Sequence, residues 1–314
     1  MSSLRMTVTS SADAADGVRR IRLAPVAPQE LPAWTPGAHI DLVLPSGLVR
    51  QYSLCGGDAD GWEIAVLRES AGRGGSVEVH ELLVEGAEVD VAGPRNHFPL
   101  EDAEAYVFVA GGIGITPILP MIAEADRRGA DWHLHYGGRS RASMAFLDHL
   151  DSYGDRVTVV PQDELGLIDL ATALAPTPDT LVYCCGPEPL LAAVDARCEQ
   201  DWPDGSLRLE RFVGLAVDPV SPTDARPFEV QLGDGGPLFD VPADRSILQT
   251  LLDAGTDVLY SCEEGTCGSC EAYVLSGRPD HRDALLTDSA REMGAMLICV
   301  SRSLDDRLVL DLEP

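Results

Sequence analysis

The sequence predicts a multidomain protein in which an antiparallel β domain, an α/β domain with a parallel sheet and a cysteine-rich domain follow one another. Residues 1–102 alternate apolar and polar side chains between Gly, Pro and Asp, as antiparallel strands do. In residues 103–212, apolar runs alternate with helical segments, the pattern of a parallel sheet with crossover helices. Residues 228–314 carry a close group of cysteines, and residues 213–227, with three prolines, are the expected linker.

The overall composition argues against several classes of function. The chain of 314 residues has a formal net charge of −28, so it repels the phosphates of nucleic acid. Its N-terminus lacks the apolar core of a signal peptide, and no apolar run approaches the ~18 residues of a membrane helix. These features, with eight cysteines, predict a cytoplasmic protein without a membrane or nucleic-acid partner.

The negative charge extends into the cysteine-rich block. Residues 228–314 contain seventeen Asp and Glu but six Arg. An acidic face around a redox centre can steer a basic partner protein, or it can simply keep the chain in solution. Both interpretations remain open at this point.

Four cysteines in the third block have the spacing of an iron–sulfur ligand set. Cys262, Cys267 and Cys270 form a C-x4-C-x2-C loop, and Cys299 follows later. Plant-type [2Fe–2S] ferredoxins use this spacing, in which one short loop supplies three thiolates and a distant segment supplies the fourth. Structural zinc sites, the alternative, usually show two separated C-x2-C pairs. We therefore predict that these cysteines are the metal ligands of a [2Fe–2S] cluster, which transfers single electrons.

A glycine turn in the second block has the context of a nucleotide site. Gly111, Gly112 and Gly114 directly follow the apolar run 106–110, and Thr116 stands where the next helix opens. Such a turn lets the backbone approach a pyrophosphate, while the helix N-terminus offers free N–H groups. The third glycine of the Rossmann fingerprint is replaced here by Thr-Pro. We interpret the turn as part of a nicotinamide nucleotide site.

A second turn, Cys185-Gly186-Pro187, ends another apolar run of the same block. Parallel sheets bind ligands at the carboxyl ends of their strands. Taken alone, this sequence is typical of an ordinary strand-to-helix turn. Paired with the first glycine turn, it indicates the same nucleotide site.

Two segments of the first block fit a flavin. In Arg50-Gln-Tyr52-Ser53 an arginine is available for a phosphate, an aromatic ring for the isoalloxazine and a hydroxyl for its polar edge. Further along, Gly74, Gly75 and Ser76 can form a backbone nest for a phosphate. Taken singly, each segment also fits a surface arginine or a flexible turn.

The combination of these motifs resembles the phthalate dioxygenase reductase family, which includes the reductase component of vanillate demethylase and belongs to the wider ferredoxin–NADP⁺ reductase superfamily. The resemblance extends over essentially the whole chain. It implies an FMN-binding β-barrel in residues 1–102, an NAD-binding α/β domain in 103–212 and a β-grasp ferredoxin domain in 228–314. Because the ferredoxin part comes last, the domain order implies FMN rather than FAD.

The resemblance also implies roles for the candidate residues. The residues expected to hold the FMN phosphate are Arg50, Gly75 and Ser76. Those expected at the isoalloxazine are Tyr52 and Ser53, with Phe212 covering it. Those expected along the nicotinamide nucleotide are Gly111, Gly112, Gly114, Thr116, Cys185, Gly186 and Pro187. The two residues expected to act in catalysis are Ser53 at the flavin and Cys185 at the nicotinamide.

The choice between NADH and NADPH depends on charges near the expected 2′-phosphate position. Asp163 and Glu164 follow the apolar run 157–160, and their carboxylates would repel that phosphate and favour NADH. Arg139 and Arg141 follow the preceding strand and would instead bind it. The resemblance favours NADH, with NADPH as the alternative.

By this resemblance the chain is an iron–sulfur flavoprotein oxidoreductase, the NADH-dependent reductase component of an oxygenase system. A hydride is expected to pass from NADH to FMN, and single electrons then pass through the [2Fe–2S] cluster to a separate Rieske-type terminal oxygenase. A cytochrome P450 acceptor, or a ferredoxin-type carrier that does not oxidise NADH, are the alternatives. His281 is expected to be a hydrogen-bonding histidine, because four thiolates already complete the cluster.

Overall fold

The computed structural model describes residues 3–70, 72, 74–212, 226–260, 262–266, 268–283 and 285–312. The chain divides into two compact units, Met1–Arg211 and Phe212–Pro314, and each has its own buried apolar core. Residues 213–225 of the predicted linker and the predicted ligand Cys267 lie outside the described residues.

The first unit begins with a closed antiparallel barrel. Its strands are β1 (Leu4–Ala15), β2 (Val18–Pro25), β3 (His39–Val43), β4 (Val49–Asp58), β5 (Gly61–Leu67) and β6 (Glu88–Arg95). Around the barrel their order is β1-β2-β5-β4-β3-β6, and helix α1 (Gly75–Leu82) lies between β5 and β6 in the chain. Alternate residues point inward, so that Ile21, Leu23, Ile40 and Trp62 fill the barrel. The predicted antiparallel β-barrel is confirmed.

The same unit continues into a parallel sheet. Its strands are β7 (Ala105–Gly111), β8 (Asp131–Gly138), β9 (Val157–Pro161), β10 (Thr180–Cys185) and β11 (Leu207–Glu210). The connecting helices are α2 (Ile115–Arg128), α3 (Leu147–Leu150), α4 (Gln162–Leu165), α5 (Leu170–Ala173) and α6 (Glu188–Asp201). The strand order is β11-β10-β7-β8-β9, and all pairs are parallel, which confirms the predicted α/β domain.

The central strand β7 is apolar throughout because it is covered on both faces. Phe108 packs into a core that includes Ile118 of α2, whereas its neighbour Val109 packs into a second core that includes Leu191 of α6. Successive strand residues point to opposite faces, so an uninterrupted apolar run indicates a doubly covered strand. The packing fixes the carboxyl ends of β7 and β10 side by side.

The barrel and the parallel sheet of the first unit pack on one another. The amide of Asp16 donates a hydrogen bond to the carbonyl of Ala142 (2.8 Å), and Val18 and Ala145 share an apolar cluster. Strand β4 runs beside helix α2, and Cys55 of β4 packs on the core of the sheet. The strand with the predicted flavin residues therefore lies next to the helix with the predicted nicotinamide residues.

The second unit has an α+β fold. Its main sheet contains β12 (Phe228–Leu232), β13 (Leu238–Val241), β14 (Glu271–Ser276), β16 (Ala295–Leu297) and β18 (Arg307–Asp311), in the order β13-β12-β18-β14-β16. The short strands β15 (Pro279–Asp280) and β17 (Arg302–Ser303) form a separate pair, and the helices are α7 (Ile247–Asp253) and α8 (Asp288–Glu292). Because β12 and β18 are parallel and the other pairs are antiparallel, this mixed sheet with α7 in its core fits the predicted β-grasp domain.

Candidate functional site

On the barrel side, the three residues predicted to hold a phosphate lie together, and we call Arg50, Gly75 and Ser76 the phosphate cradle. Arg50 lies on β4, and its side chain crosses directly over Gly75, the first residue of α1. A Cβ placed on Gly75 would lie 2.6 Å from Cγ and Nε of Arg50, so only glycine allows this approach. The arrangement places a guanidinium beside a helix N-terminus, and both attract a phosphate.

Ser76, the third residue of the cradle, is hydrogen-bonded to the segment that precedes α1. The Ser76 hydroxyl accepts a hydrogen bond from the amide of Glu69 (3.0 Å). Its O–H can still donate, because a hydroxyl has one proton and two lone pairs. Gly74 precedes the helix in the left-handed region (φ 84°). The structure thus brings together the four residues that the sequence suggested for a phosphate.

Tyr52 and Ser53 are neighbours on β4 and therefore point to opposite faces. Tyr52 packs against the barrel core, and this burial raises the pKa of its phenol well above the usual value, so the ring is neutral. Ser53 is buried, and Cys55, two residues further along β4, packs on the core of the parallel sheet.

The two glycine turns of the parallel sheet pack backbone against backbone. A Cβ on Gly114 would lie 2.7 Å from the amide nitrogen of Gly186 and closer still to the carbonyl of Cys185. A Cβ on Gly111 would lie 2.7 Å from the ring of Pro187. We call this assembly the paired turns. The strands β7 and β10 are adjacent and in register, which is why two motifs far apart in sequence meet at one edge of the sheet.

The paired turns leave the start of α2 suited to an anion. Gly112 has φ 54°, and nothing lies within 4 Å of the position of an added Cβ. Thr116 is buried in the first turn of α2, where its hydroxyl donates to the carbonyl of Ile113 (3.0 Å). No acidic side chain occupies this first turn, so the positive end of the helix dipole is not neutralised locally.

Cys185 has a neighbour that the sequence analysis missed, Glu210. The Cys185 thiol is fully buried and donates to a carboxylate oxygen of Glu210 at 3.7 Å. Burial raises the pKa of the Glu210 carboxyl to about 8, and burial together with this carboxyl raises the pKa of the thiol well above its usual value. The pair therefore holds a neutral thiol next to a group that exchanges a proton near neutral pH. In the sequence, Glu210 could have been noticed from its position at the end of a strand, two residues before the predicted flavin residue Phe212.

The second unit gathers the predicted cluster ligands. The buried thiol of Cys299 is hydrogen-bonded to the thiols of Cys262 and Cys270, and these contacts raise the pKa of Cys299 far above its usual value. The amide of Glu264 points at the sulfur of Cys262 (3.3 Å). Convergent thiols with a backbone N–H directed at sulfur are the environment of an iron–sulfur cluster, so these residues fit the group. Phe212 begins this unit and is 40% exposed. Its role in covering the isoalloxazine stays a prediction.

Comparisons with known proteins agree with the description of both units. The 2Fe-2S iron-sulfur cluster binding domain family matches residues 233–304. Vanillate O-demethylase oxidoreductase from a Pseudomonas species is 41% identical over 292 residues, which cover 90% of this chain and 91% of the relative. The solved structure of phthalate dioxygenase reductase is 36% identical with a TM-score of 0.73, covering 99% of this chain and 98% of that one.

A third similar protein is longer than this chain. An intact type IV self-sufficient cytochrome P450 monooxygenase is 43% identical with a TM-score of 0.90 and matches 98% of this chain. The chain spans 41% of the length of that protein. None of the helices in the described ranges is both long and apolar enough to cross a membrane.

The barrel, the parallel sheet and the cysteine-bearing domain define a class, the iron–sulfur flavoprotein oxidoreductases that use a pyridine nucleotide. Within that class, the identity and coverage of its relatives show that the chain belongs to the phthalate dioxygenase reductase family, the reductase components of oxygenase systems. The resemblance inferred from the motifs is confirmed.

Proposed function

We propose that the chain is an NADH-dependent reductase that binds FMN and delivers single electrons through its [2Fe–2S] site to a Rieske-type terminal oxygenase. The observation that carries this proposal is that the first unit holds both the phosphate cradle and the paired turns, while the second unit gathers the cluster thiols. Accordingly, residues 1–102 bind FMN, 103–212 bind NADH, 213–227 are a linker and 228–314 hold the cluster.

The chain's own residues bind and orient, because the cofactors carry the redox chemistry. When bound, the flavin and the cluster supply the conversion of one hydride into single electrons. The phosphate cradle holds the FMN phosphate, and Ser53 faces the flavin from β4. The paired turns and the open end of α2 hold the pyrophosphate of NADH. The Cys185 thiol lies at the nicotinamide end, and Glu210 keeps that thiol protonated.

The first experiment tests the flavin and the direction of electron flow. We expect an anaerobic visible spectrum of the purified protein to show flavin and iron–sulfur absorption, both bleached by NADH. Chromatography of the released flavin should identify FMN, because the cradle presents one phosphate-binding arginine at one helix end. Release of FAD would contradict the FMN assignment, and an NADH-insensitive spectrum would leave only a ferredoxin-type carrier.

Arg50→Ala sharpens the same test. A hydrogen bond to a charged group contributes about 1.5–3 kcal/mol, so loss of Arg50 should weaken FMN binding about 10–100-fold. Flavin dissociation constants from fluorescence titration measure this change. Arg5→Ala is the matched control, because Arg5 is a half-exposed arginine of the barrel that pairs with Glu88 and Asp90. Equal affinities in wild type and Arg50→Ala would exclude Arg50 as a phosphate ligand.

The preference for NADH is supported by an ion pair at the end of β9. Arg141 and Glu164 lie 3.3 Å apart, and the amide of Asp163 donates to the carbonyl of Arg139 (3.1 Å). The Glu164 carboxylate thus pairs with one of the two arginines that would otherwise bind a 2′-phosphate, and Asp163 is bonded to the other through the backbone. This geometry favours a nucleotide without that phosphate.

Glu164→Gln tests the preference. The variant should raise the ratio of NADPH to NADH kcat/KM about twofold to fivefold, the effect of one exposed charge pair. Glu199→Gln, on the exposed side of α6, removes the same charge elsewhere on the unit and should leave the ratio unchanged. An unchanged or lower ratio in Glu164→Gln would contradict a discriminating role.

A cytochrome P450 is the second candidate acceptor, because the reductase part of a self-sufficient P450 is similar to this chain in sequence and fold. The two acceptors can be compared directly by stopped-flow reduction of a purified Rieske-type oxygenase and a purified bacterial P450 with the same NADH-reduced protein. Faster reduction of the Rieske-type protein is expected. Faster reduction of the P450 would favour a cytochrome P450 as the acceptor and contradict the Rieske-type proposal.

A further inference from the structure

A buried carboxylate lies directly against the cluster loop, and the function proposed above does not use it. Asp283 has a side chain with 0% exposure. A Cβ on Gly265, between the ligands Cys262 and Cys267, would lie 3.1 Å from Cα and 3.3 Å from Cβ of Asp283. The segment that carries Asp283 is therefore in van der Waals contact with the loop that supplies the cluster thiols.

The two carboxylate oxygens of Asp283 have different surroundings. One oxygen accepts hydrogen bonds from the amides of Leu286 (2.8 Å) and Leu285 (3.3 Å) and from the guanidinium of Arg291 (3.4 Å). The other oxygen has no hydrogen-bond partner among the described residues and faces Nδ1 of His281 at 3.8 Å. Burial and Arg291 lower the pKa of His281, so the histidine is neutral, and the charged partner of the carboxylate is Arg291.

A charge in this position acts on the redox group that the loop holds. Reduction adds one electron to the cluster, and a buried negative charge nearby opposes that addition because little water screens it. Net charge and hydrogen bonding around the thiolates are among the factors that set the potential of such clusters. Arg291 has the opposite effect, weakened by its partial exposure.

We propose that Asp283 is a positioning residue that supports the cluster loop at Gly265 and that its buried charge lowers the reduction potential of the [2Fe–2S] group, with Arg291 as the counter-charge. This inference rests on the proposed cluster site. It gives the segment around His281, which supplies no cluster ligand, a function in tuning electron transfer.

The test is a redox titration of the full-length protein with dithionite and mediator dyes, followed by electron paramagnetic resonance of the reduced cluster. Asp283→Asn should favour the reduced cluster about tenfold, an upward shift of about 59 mV for one electron. Arg291→Gln should shift the potential downward. His281→Gln should change it little. Asp305→Asn is the matched control, because Asp305 pairs with the exposed Arg278 on the same unit.

The signs of the shifts decide the proposal. Opposite shifts in Asp283→Asn and Arg291→Gln support it, whereas unchanged potentials, or shifts in the same direction, overturn it. If Asp283→Asn loses its iron, the downward shift of Arg291→Gln still tests the charge effect, and no shift there overturns it. The titration needs neither NADH nor an acceptor protein, so failure of the proposed electron route would be seen separately.

Discussion

Cys185 in the first unit and Cys299 in the second are both buried cysteines, but their neighbours differ in kind. The Cys185 thiol meets the carboxyl of Glu210, which is itself half-buried. The Cys299 thiol meets two further thiols, and an amide N–H points at one of them. A carboxyl neighbour opposes formation of a thiolate, whereas several thiols around one point can share a metal group that takes up their negative charge. Burial alone therefore does not distinguish a cysteine that binds a cluster from a cysteine that does not.

The two environments also differ in how their glycines act. Gly114 allows the glycine turn to touch the peptide that follows Cys185, so the first environment depends on backbone contact between adjacent strands. Gly265 lies inside the cluster loop between Val300 and Asp283, so the second depends on one loop and its supports. Changes at these cysteines should consequently affect nucleotide chemistry in one case and the cluster in the other.

The largest effect is expected from Cys299→Ala. Loss of one of four ligands should remove the cluster and abolish reduction of acceptors that receive single electrons, while NADH still reduces the flavin. Iron analysis measures the loss of the cluster. Anaerobic spectra before and after addition of NADH measure reduction of the flavin. Cys198→Ala, a buried thiol in the core of the parallel sheet, should keep its iron. Loss of flavin reduction in Cys299→Ala would contradict the separation of the two sites.

A smaller effect is expected from Gly114→Ala. Its methyl group would clash with the backbone of Cys185 and Gly186, which cannot move as freely as a side chain, so we expect about 1–3 kcal/mol of destabilisation and a raised KM for NADH. Thermal unfolding and steady-state kinetics measure these changes. Gly56→Ala is the matched control, because its methyl group would meet only the end of the Glu63 side chain, at 3.1 Å. Equal stability of both variants would show that the paired turns are not tightly packed.

The smallest effect is expected from Glu210→Gln and depends on pH. The pKa of Glu210 is raised to about 8 in the folded chain, so its stabilising contribution is complete below the usual carboxyl pKa and is lost as pH rises through about 8. The variant should flatten the fall in stability between pH 5 and 9 by on the order of 1 kcal/mol, allowing for partial exposure. Thermal unfolding of holoprotein followed by flavin fluorescence measures it. Glu199→Gln should keep the wild-type slope, and an unchanged slope in Glu210→Gln would mean that Glu210 is ionised throughout.

The sequence alone determined the class of cofactor and the order of the parts. Thiol spacing within one short loop restricts the geometry of its ligands whatever the surrounding fold, so Cys262, Cys267, Cys270 and Cys299 could be predicted as ligands without a structure. Glycines at the end of an apolar run similarly indicated a nucleotide turn. Arg50 could be proposed only from the combination of motifs, because its segment taken singly also fits a surface arginine.

Only the tertiary structure decided which side chains complete these sites. Glu210 is one of 51 acidic residues in the chain, and it reaches Cys185 because β10 and β11 are parallel and in register. Asp283 reaches the cluster loop through a contact between separate segments of the second unit. Local patterns record the requirements of a single turn or loop, whereas burial, pairing and pKa arise from neighbours that the folded chain brings together from distant positions.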